Sequence, residues 1–252
     1  MFPDDSAGNG EKPHMIRNVD MKQISDGKLY GLHDMVRADC GDCRGCSYCC
    51  HMMGDTIILD PLDICLLTTN LGRTFEEMMQ DDSICLHVQD GVILPSLNLH
   101  EGKGCSFLTP EERCSVHGFR PGLCRIFPLG RFYRDETRDF LYFLQTRECR
   151  QESRAKVKVS KWIDVPNLQA NQAFIGKWHF FIRRMQRLIQ GAEHDGEERG
   201  GAERGGAERG GMDEQSVKQL NMLILQLFFC KPYDPGRDFY EQFEERMARF
   251  PV

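Results

Sequence analysis

Ala38-Asp39-Cys40-Gly41-Asp42-Cys43-Arg44-Gly45-Cys46-Ser47-Tyr48-Cys49-Cys50-His51 is the stretch on which the reading of this chain turns. Five of the twelve cysteines fall within the eleven residues from Cys40 to Cys50, spaced C-x2-C-x2-C-x2-C-C. A thiolate is a soft, charged ligand, and a C-x2-C step lets two sulfurs converge on one metal. Gly41 and Gly45 give the backbone freedom that such a wrap requires. Inert core cysteines do not bunch in a segment rich in Gly and Asp, so the pattern points to a metal site. In an extended segment adjacent side chains point to opposite sides, which sets Cys49 and Cys50 apart. That favours more than one metal, or an iron–sulfur cluster, over a single zinc.

Outward from this stretch, 252 residues at 40% apolar content can bury a sizeable core. The formal net charge is −6 and the isoelectric point about 5.8, with Lys and Arg scattered among acids, so no basic footprint for nucleic acid is present. The longest apolar run, Met222 to Cys230, is interrupted by Gln226 and falls well short of the roughly 20 residues of a membrane span. Residues 1–20 read as a polar, disordered tail without the charged-then-apolar layout of a signal peptide. The expectation is a soluble, cytoplasmic protein with neither nucleic acid nor membrane as partner. In a reducing compartment its cysteines are thiolates available to metal rather than a disulfide framework.

Local signals predict the elements. Leu29, Leu32 and Val36 share one face of a helix over Lys28–Arg37. Thr56–Leu59 reads as a buried strand, and Asp60-Pro61 as an N-cap with proline at the first helical position. That helix ends at Leu71-Gly72, and Thr74 starts another. Hairpins are expected at Gln89-Asp90-Gly91 and between Phe132-Tyr133 and Phe140–Phe143. Beyond residue 155, Asn167 caps a long helix to Gln190 with Phe174, Trp178, Phe181 and Met185 at core spacing. The Gly-Gly-Ala-Glu-Arg repeats within 191–211 form a linker, and apolar helices follow over Met212–Phe229 and Arg237–Phe250. The whole reads as α+β: a small metal-knit cysteine module at 28–150 with short strands and helices, then a helical C-terminal region made of 155–190 and 212–252.

Further thiols lie downstream at Cys105, Cys114, Cys124 and Cys149, enough with the first cluster for one or two metal sites. His51 and His117 sit beside cysteines, and Arg120 and Arg125 flank the second group, where guanidinium groups can offset thiolate charge. Cys65 and Cys230 lie on apolar helix faces and read as core. No Ser/His/Asp arrangement, glycine-rich phosphate loop or H-E-x-x-H pattern is present. The C-x3-C-x2-C of radical enzymes fails because position 53 is methionine. No motif supports an enzyme.

Cys43-x2-Cys46-x2-Cys49-Cys50, Leu59-x3-Asp63-Ile64, Cys105, Cys114, Phe119-Arg120-Pro121-x2-Cys124-x2-Phe127-Pro128 and Cys149 together closely resemble the YkgJ-type cysteine-cluster family, over roughly residues 28–150. The resemblance implies a zinc- or iron-chelating domain. By position it implies Cys43, Cys46, Cys49, Cys50, Cys105, Cys114, Cys124 and Cys149 as ligands of an iron–sulfur cluster or iron, with zinc as the alternative. Cys40 adds one more C-x2-C step ahead of the family motif. The same segment is similar to the cysteine-rich part of flagellin lysine N-methylases. That likeness would imply a protein methylase using the cluster, and a structural zinc module presenting the helices to a protein partner is the third reading.

Overall fold

The computed structural model describes residues 24–41, 46–53, 57–100, 102–146, 149, 154–191 and 211–250. The expected tail at 1–20, Cys43 and nearly all of the expected linker at 191–211 lie outside the described residues. Local chemistry sets the first helices where the sequence places them. The Asp60 carboxylate accepts from the Asp63 N–H and the Asp63 carboxylate from the Asp60 N–H, a reciprocal capping box that opens α2 (Pro61–Leu71). Gly72, at φ 64, ends it in the left-handed conformation that glycine adopts without penalty. A second box, Thr74 with Glu77, opens α3 (Phe75–Gln80) at the surface. The short α1 (Tyr48–Met52) precedes both and carries Cys49 and Cys50.

Four two-stranded antiparallel sheets follow from the turns, among the described residues. In the hairpin of β2 (Ile84–Gln89) and β3 (Val92–Leu97), Gln89 pairs with Val92 across Asp90-Gly91, both at positive φ, as a type I′ turn requires. β4 (Leu99–His100) pairs with β5 (Gly104–Cys105), and β6 (Leu129–Arg134) with β7 (Asp139–Leu144). The strand expected over Thr56–Leu59 reduces to a bridge between Ile58 and Ser96, with Thr56 outside the described residues.

The helix expected over Lys28–Arg37 is not formed. The Gly31 N–H donates to Asp34 Oδ2 at 2.7 Å in a turn, and Met35–Asp39 is a strand, β1. β1 pairs with β8 (Ala155–Lys158), more than a hundred residues away, in the register Val36 to Val157. Val36 and Ala38 are buried while Met35 and Arg37 are exposed, so burial here follows the period of two of a strand. The apolar spacing that suggested a helix lost to a long-range partner that no local pattern announces.

The fold is mixed α and β, as expected, with a helical C-terminal region. After α4 (Gly122–Ile126) and α5 (Val159–Ile163) come α6 (Leu168–Gln190), α7 (Glu214–Leu225) and α8 (Phe239–Arg249). α7 continues into a π-helical turn at Gln226–Cys230. Aromatic rings knit these helices edge to face: Phe174 with Phe243 at 4.7 Å and Phe181 with Phe250 at 4.9 Å between centroids. The buried Arg246 guanidinium donates to the carbonyls of Leu227, Lys231 and Pro232, which the end of the π turn leaves without helical partners. Asn221 ties α7 to the first hairpin, accepting from the Ile93 N–H at 2.7 Å and donating to the Gly91 carbonyl at 2.9 Å. No helix among the described residues is long and apolar enough to cross a membrane.

His179 on α6 stacks on the Tyr133 ring, with centroids 3.4 Å apart and planes within 5°. Burial, with Arg183 adding to it, holds this imidazole neutral and brings its pKa from 6.5 to about 3. The unfolded chain therefore binds a proton between these values that the folded chain refuses, so this group's contribution is complete above pH 6.5 and is lost as pH falls. The unfolding free energy should carry a slope of up to about 1.4 kcal/mol per pH unit over that window from His179. Chemical denaturation of a His179→Phe variant, which keeps the stacked ring, should show that slope removed; an unchanged pH profile would contradict the assignment.

Candidate metal centre

Three separate segments deliver sulfur to one place. α1 brings Cys49 and Cys50, with Cys46 just ahead of it; β5 brings Cys105; the 105–114 loop brings Cys114; α4 brings Cys124. All six line a cavity of about 70 Å³. Its remaining wall is largely apolar, including Ile57, Leu97, Phe107, Val116, Leu123 and Phe127, with Glu112, Arg113, His117 and Arg120 also on its lining. Among the described residues, no three His, Cys, Asp or Glu side chains are grouped closely enough to hold a metal ion as they stand.

α1 is only five residues long, below the length at which a helix stands alone, so tertiary contacts hold it. Glu112, at φ 59 in the loop before Cys114, accepts hydrogen bonds from Ser47 Oγ and from His51 Nε2, the latter at 2.8 Å. These two bonds, Ser47 first, hold the Glu112 carboxyl below its usual range. On the other side, Gly104 lies against α1: a Cβ there would fall 2.7 Å from His51 Nδ1 and 3.1 Å from the Cys50 carbonyl, so only glycine allows the approach. His51 therefore serves the docking of the cysteine helix. His117 lines the cavity and accepts from Arg120 Nη1.

The wall on the far side is fixed by polar contacts at both ends of α4. Its N-terminal N–H, from Gly122, donates to Asp63 Oδ1 at 2.7 Å, and its last carbonyl, from Ile126, accepts from Trp162 Nε1 at 2.9 Å. Arg125 turns away from the cavity to the Gly118 carbonyl at 2.9 Å.

Sequence reasoning placed Cys49 and Cys50 on opposite sides of an extended segment. They lie instead on a helix, where successive side chains diverge by only about 100°. Both reach the cavity, and the Cys50 thiol donates to Cys49. That bond, assisted by Arg120 and opposed by burial, lowers the Cys49 thiol from 9.0 to about 7 and sends Cys50 upward. Burial raises Cys105 and Cys114, and raises Cys124 furthest, with the charges of Cys105, Cys49, Asp63 and Cys114 adding to its shift. Of the eight cysteines implied by the resemblance, the structure thus brings six together. Cys43 lies outside the described residues, and Cys149 is not on the cavity lining. Cys65 sits on α2, and Cys85 Sγ lies 3.2 Å from Ser96 Oγ. The residues that sequence reasoning missed, Glu112 and Trp162, act across long separations and carry no local signal; Asp63 stood in a motif without a role.

Residues 42–150 match the family model CxxCxxCC, described as a "Putative zinc- or iron-chelating domain". This segment is therefore similar to CxxCxxCC domains. The six gathered thiols all fall within it, and the helices from α6 onward contribute nothing to the cavity lining. No curated protein and no solved structure matches the chain, so the likeness to flagellin lysine N-methylases rests on sequence motifs alone.

The opposed shifts within the domain give a reactivity order. In the reduced, metal-free protein, iodoacetamide should label Cys49 first, with a rate that rises through about pH 7 and levels off, while Cys105 and Cys114 keep accelerating toward alkaline pH. Peptide mass spectrometry across a pH series would read this, and identical profiles for Cys49 and Cys114 would contradict the Cys50-to-Cys49 hydrogen bond.

Proposed function

We propose that the CxxCxxCC-like segment of this chain holds iron, in preference to zinc, through thiolates drawn from Cys46, Cys49, Cys50, Cys105, Cys114 and Cys124. The observation that carries this reading is the convergence of six thiols from three segments on one mainly apolar cavity. The donor set fits the group. Soft sulfur ligands suit zinc, iron and iron–sulfur centres alike. Six sulfurs exceed the four ligands of a single tetrahedral zinc, which supports a centre of more than one metal atom, as in an iron–sulfur cluster. Burial holds most of these thiols protonated, and a cation reverses that by binding the thiolate and releasing the proton. Arg113 and Arg120 on the lining supply positive charge against the surplus of sulfur. A bound iron–sulfur group would supply one-electron redox chemistry, whereas zinc would serve as a structural tie.

Metal analysis with a visible spectrum on protein purified without oxygen tests this directly. The expected result is iron with acid-labile sulfide and a brown colour; stoichiometric zinc without colour would overturn the preference for iron and leave a structural module. Cys124→Ser and Cys49→Ser should each lower metal content and thermal midpoint. Loss of a ligand should weaken binding by more than the about 10–100-fold typical of a supporting residue. Unchanged stoichiometry in both variants would overturn the ligand assignment.

A further inference from the structure

Asp63 is an acidic residue with 4% exposure, and burying a carboxylate is costly unless its oxygens are satisfied. Its place at the third position of α2 does not demand burial: the same capping box at α3 forms with an exposed Glu77. What differs is the second oxygen. Asp63 Oδ2 serves its own helix through the Asp60 N–H at 3.1 Å, while Oδ1 accepts the Gly122 N–H at 2.7 Å from 59 residues away.

Gly122 begins α4, the five-residue helix that carries Cys124. A helix this short cannot hold itself, and its N-cap position is Pro121, whose side chain has no acceptor for the orphan N–H groups. Asp63 supplies the missing acceptor from across the fold. The Arg131 guanidinium faces both Asp60 and Asp63 and offsets their charge, and Trp162 holds the other end of α4. The Cys124 thiol sits between these two fixed ends and within electrostatic reach of Asp63.

We infer that Asp63 is a positioning residue of the thiol site: it caps the Cys124 helix through the Gly122 N–H and so sets the sulfur at the cavity wall. This rests on the metal-binding reading above. Asp63 is not itself a ligand, being absent from the cavity lining.

The test uses the full chain and cobalt(II) as probe, because thiolate-to-cobalt charge-transfer absorption reports how many sulfurs reach the metal. Asp63→Ala should weaken cobalt binding by about 10–100-fold, measured against a competing chelator, and lose the same part of the charge-transfer intensity as Cys124→Ser. Asp63→Asn keeps one acceptor oxygen and should recover part of that intensity. Asp60→Ala removes the other half of the α2 capping box but leaves the bond to Gly122. It should lower thermal stability while keeping the spectrum of the unsubstituted chain. A full-intensity spectrum in Asp63→Ala, or an equal loss in Asp60→Ala, would overturn the assignment and leave Asp63 an ordinary cap. If Asp63→Ala does not fold, Asp63→Asn carries the same reading: intensity between the unsubstituted chain and Cys124→Ser supports it, and full intensity overturns it. Absence of cobalt uptake by the unsubstituted chain would overturn the metal reading itself, which is distinguishable from a failure confined to the variants.

Discussion

Thiols turned inward against a mainly apolar cavity are the constraint on which the rest of this structure depends. Sulfurs in a wall that includes Phe107, Val116, Leu123 and Phe127 resist ionisation because burial excludes water, and the backbone bonds from Phe107 to Cys105 and from Val116 to Cys114 only partly oppose this. The fold meets this in two ways. One thiol, Cys50, donates to another, Cys49, which concentrates the thiolate character on one sulfur. Burial holds Cys105, Cys114 and Cys124 toward the protonated form.

Because short elements carry the sulfurs, the surroundings must hold them in place. α1 and α4 have five residues each, and neither gains enough from its own backbone bonds to persist. Each is held by polar side chains that reach across the chain: Glu112 for the first, Asp63 and Trp162 for the second. The rigid mass that anchors these struts is the aromatic cluster of α6, α7 and α8, joined to the first hairpin through Asn221. The C-terminal helices thus bear on the site through β3 and α2 without touching it.

Much of this was legible where the determinant is local. Asp60-Pro61, Gly72, Thr74, Asp90-Gly91 and Asn167 each fix a helix end or turn through a bond to a neighbour a few residues away, and the structure shows each in place. Two readings differ from the structure, each for its own reason. β1 was mistaken for helix because its partner lies in β8, and α1 was read as extended because spacing alone does not reveal conformation. Clustering made the thiols visible as candidates, but it did not reveal that Asp63 and Glu112 hold them, since those bonds span 59 and 61 residues. The π-helical turn after α7 likewise depends on Arg246, a residue of another helix.

The separation of the sulfurs along the chain has a topological consequence. Cys46, Cys49 and Cys50 arrive on one short segment, and Cys105, Cys114 and Cys124 on another that follows the first hairpin. A metal joining the two groups closes loops of roughly 55 to 75 residues, and a permanent cross-link over such a span removes on the order of 4 kcal/mol of chain entropy from the unfolded state. The bound ion would then act as a reversible knot, tying the cysteine loop to the hairpin and to the helices braced against it, and its release would return that freedom to the chain all at once.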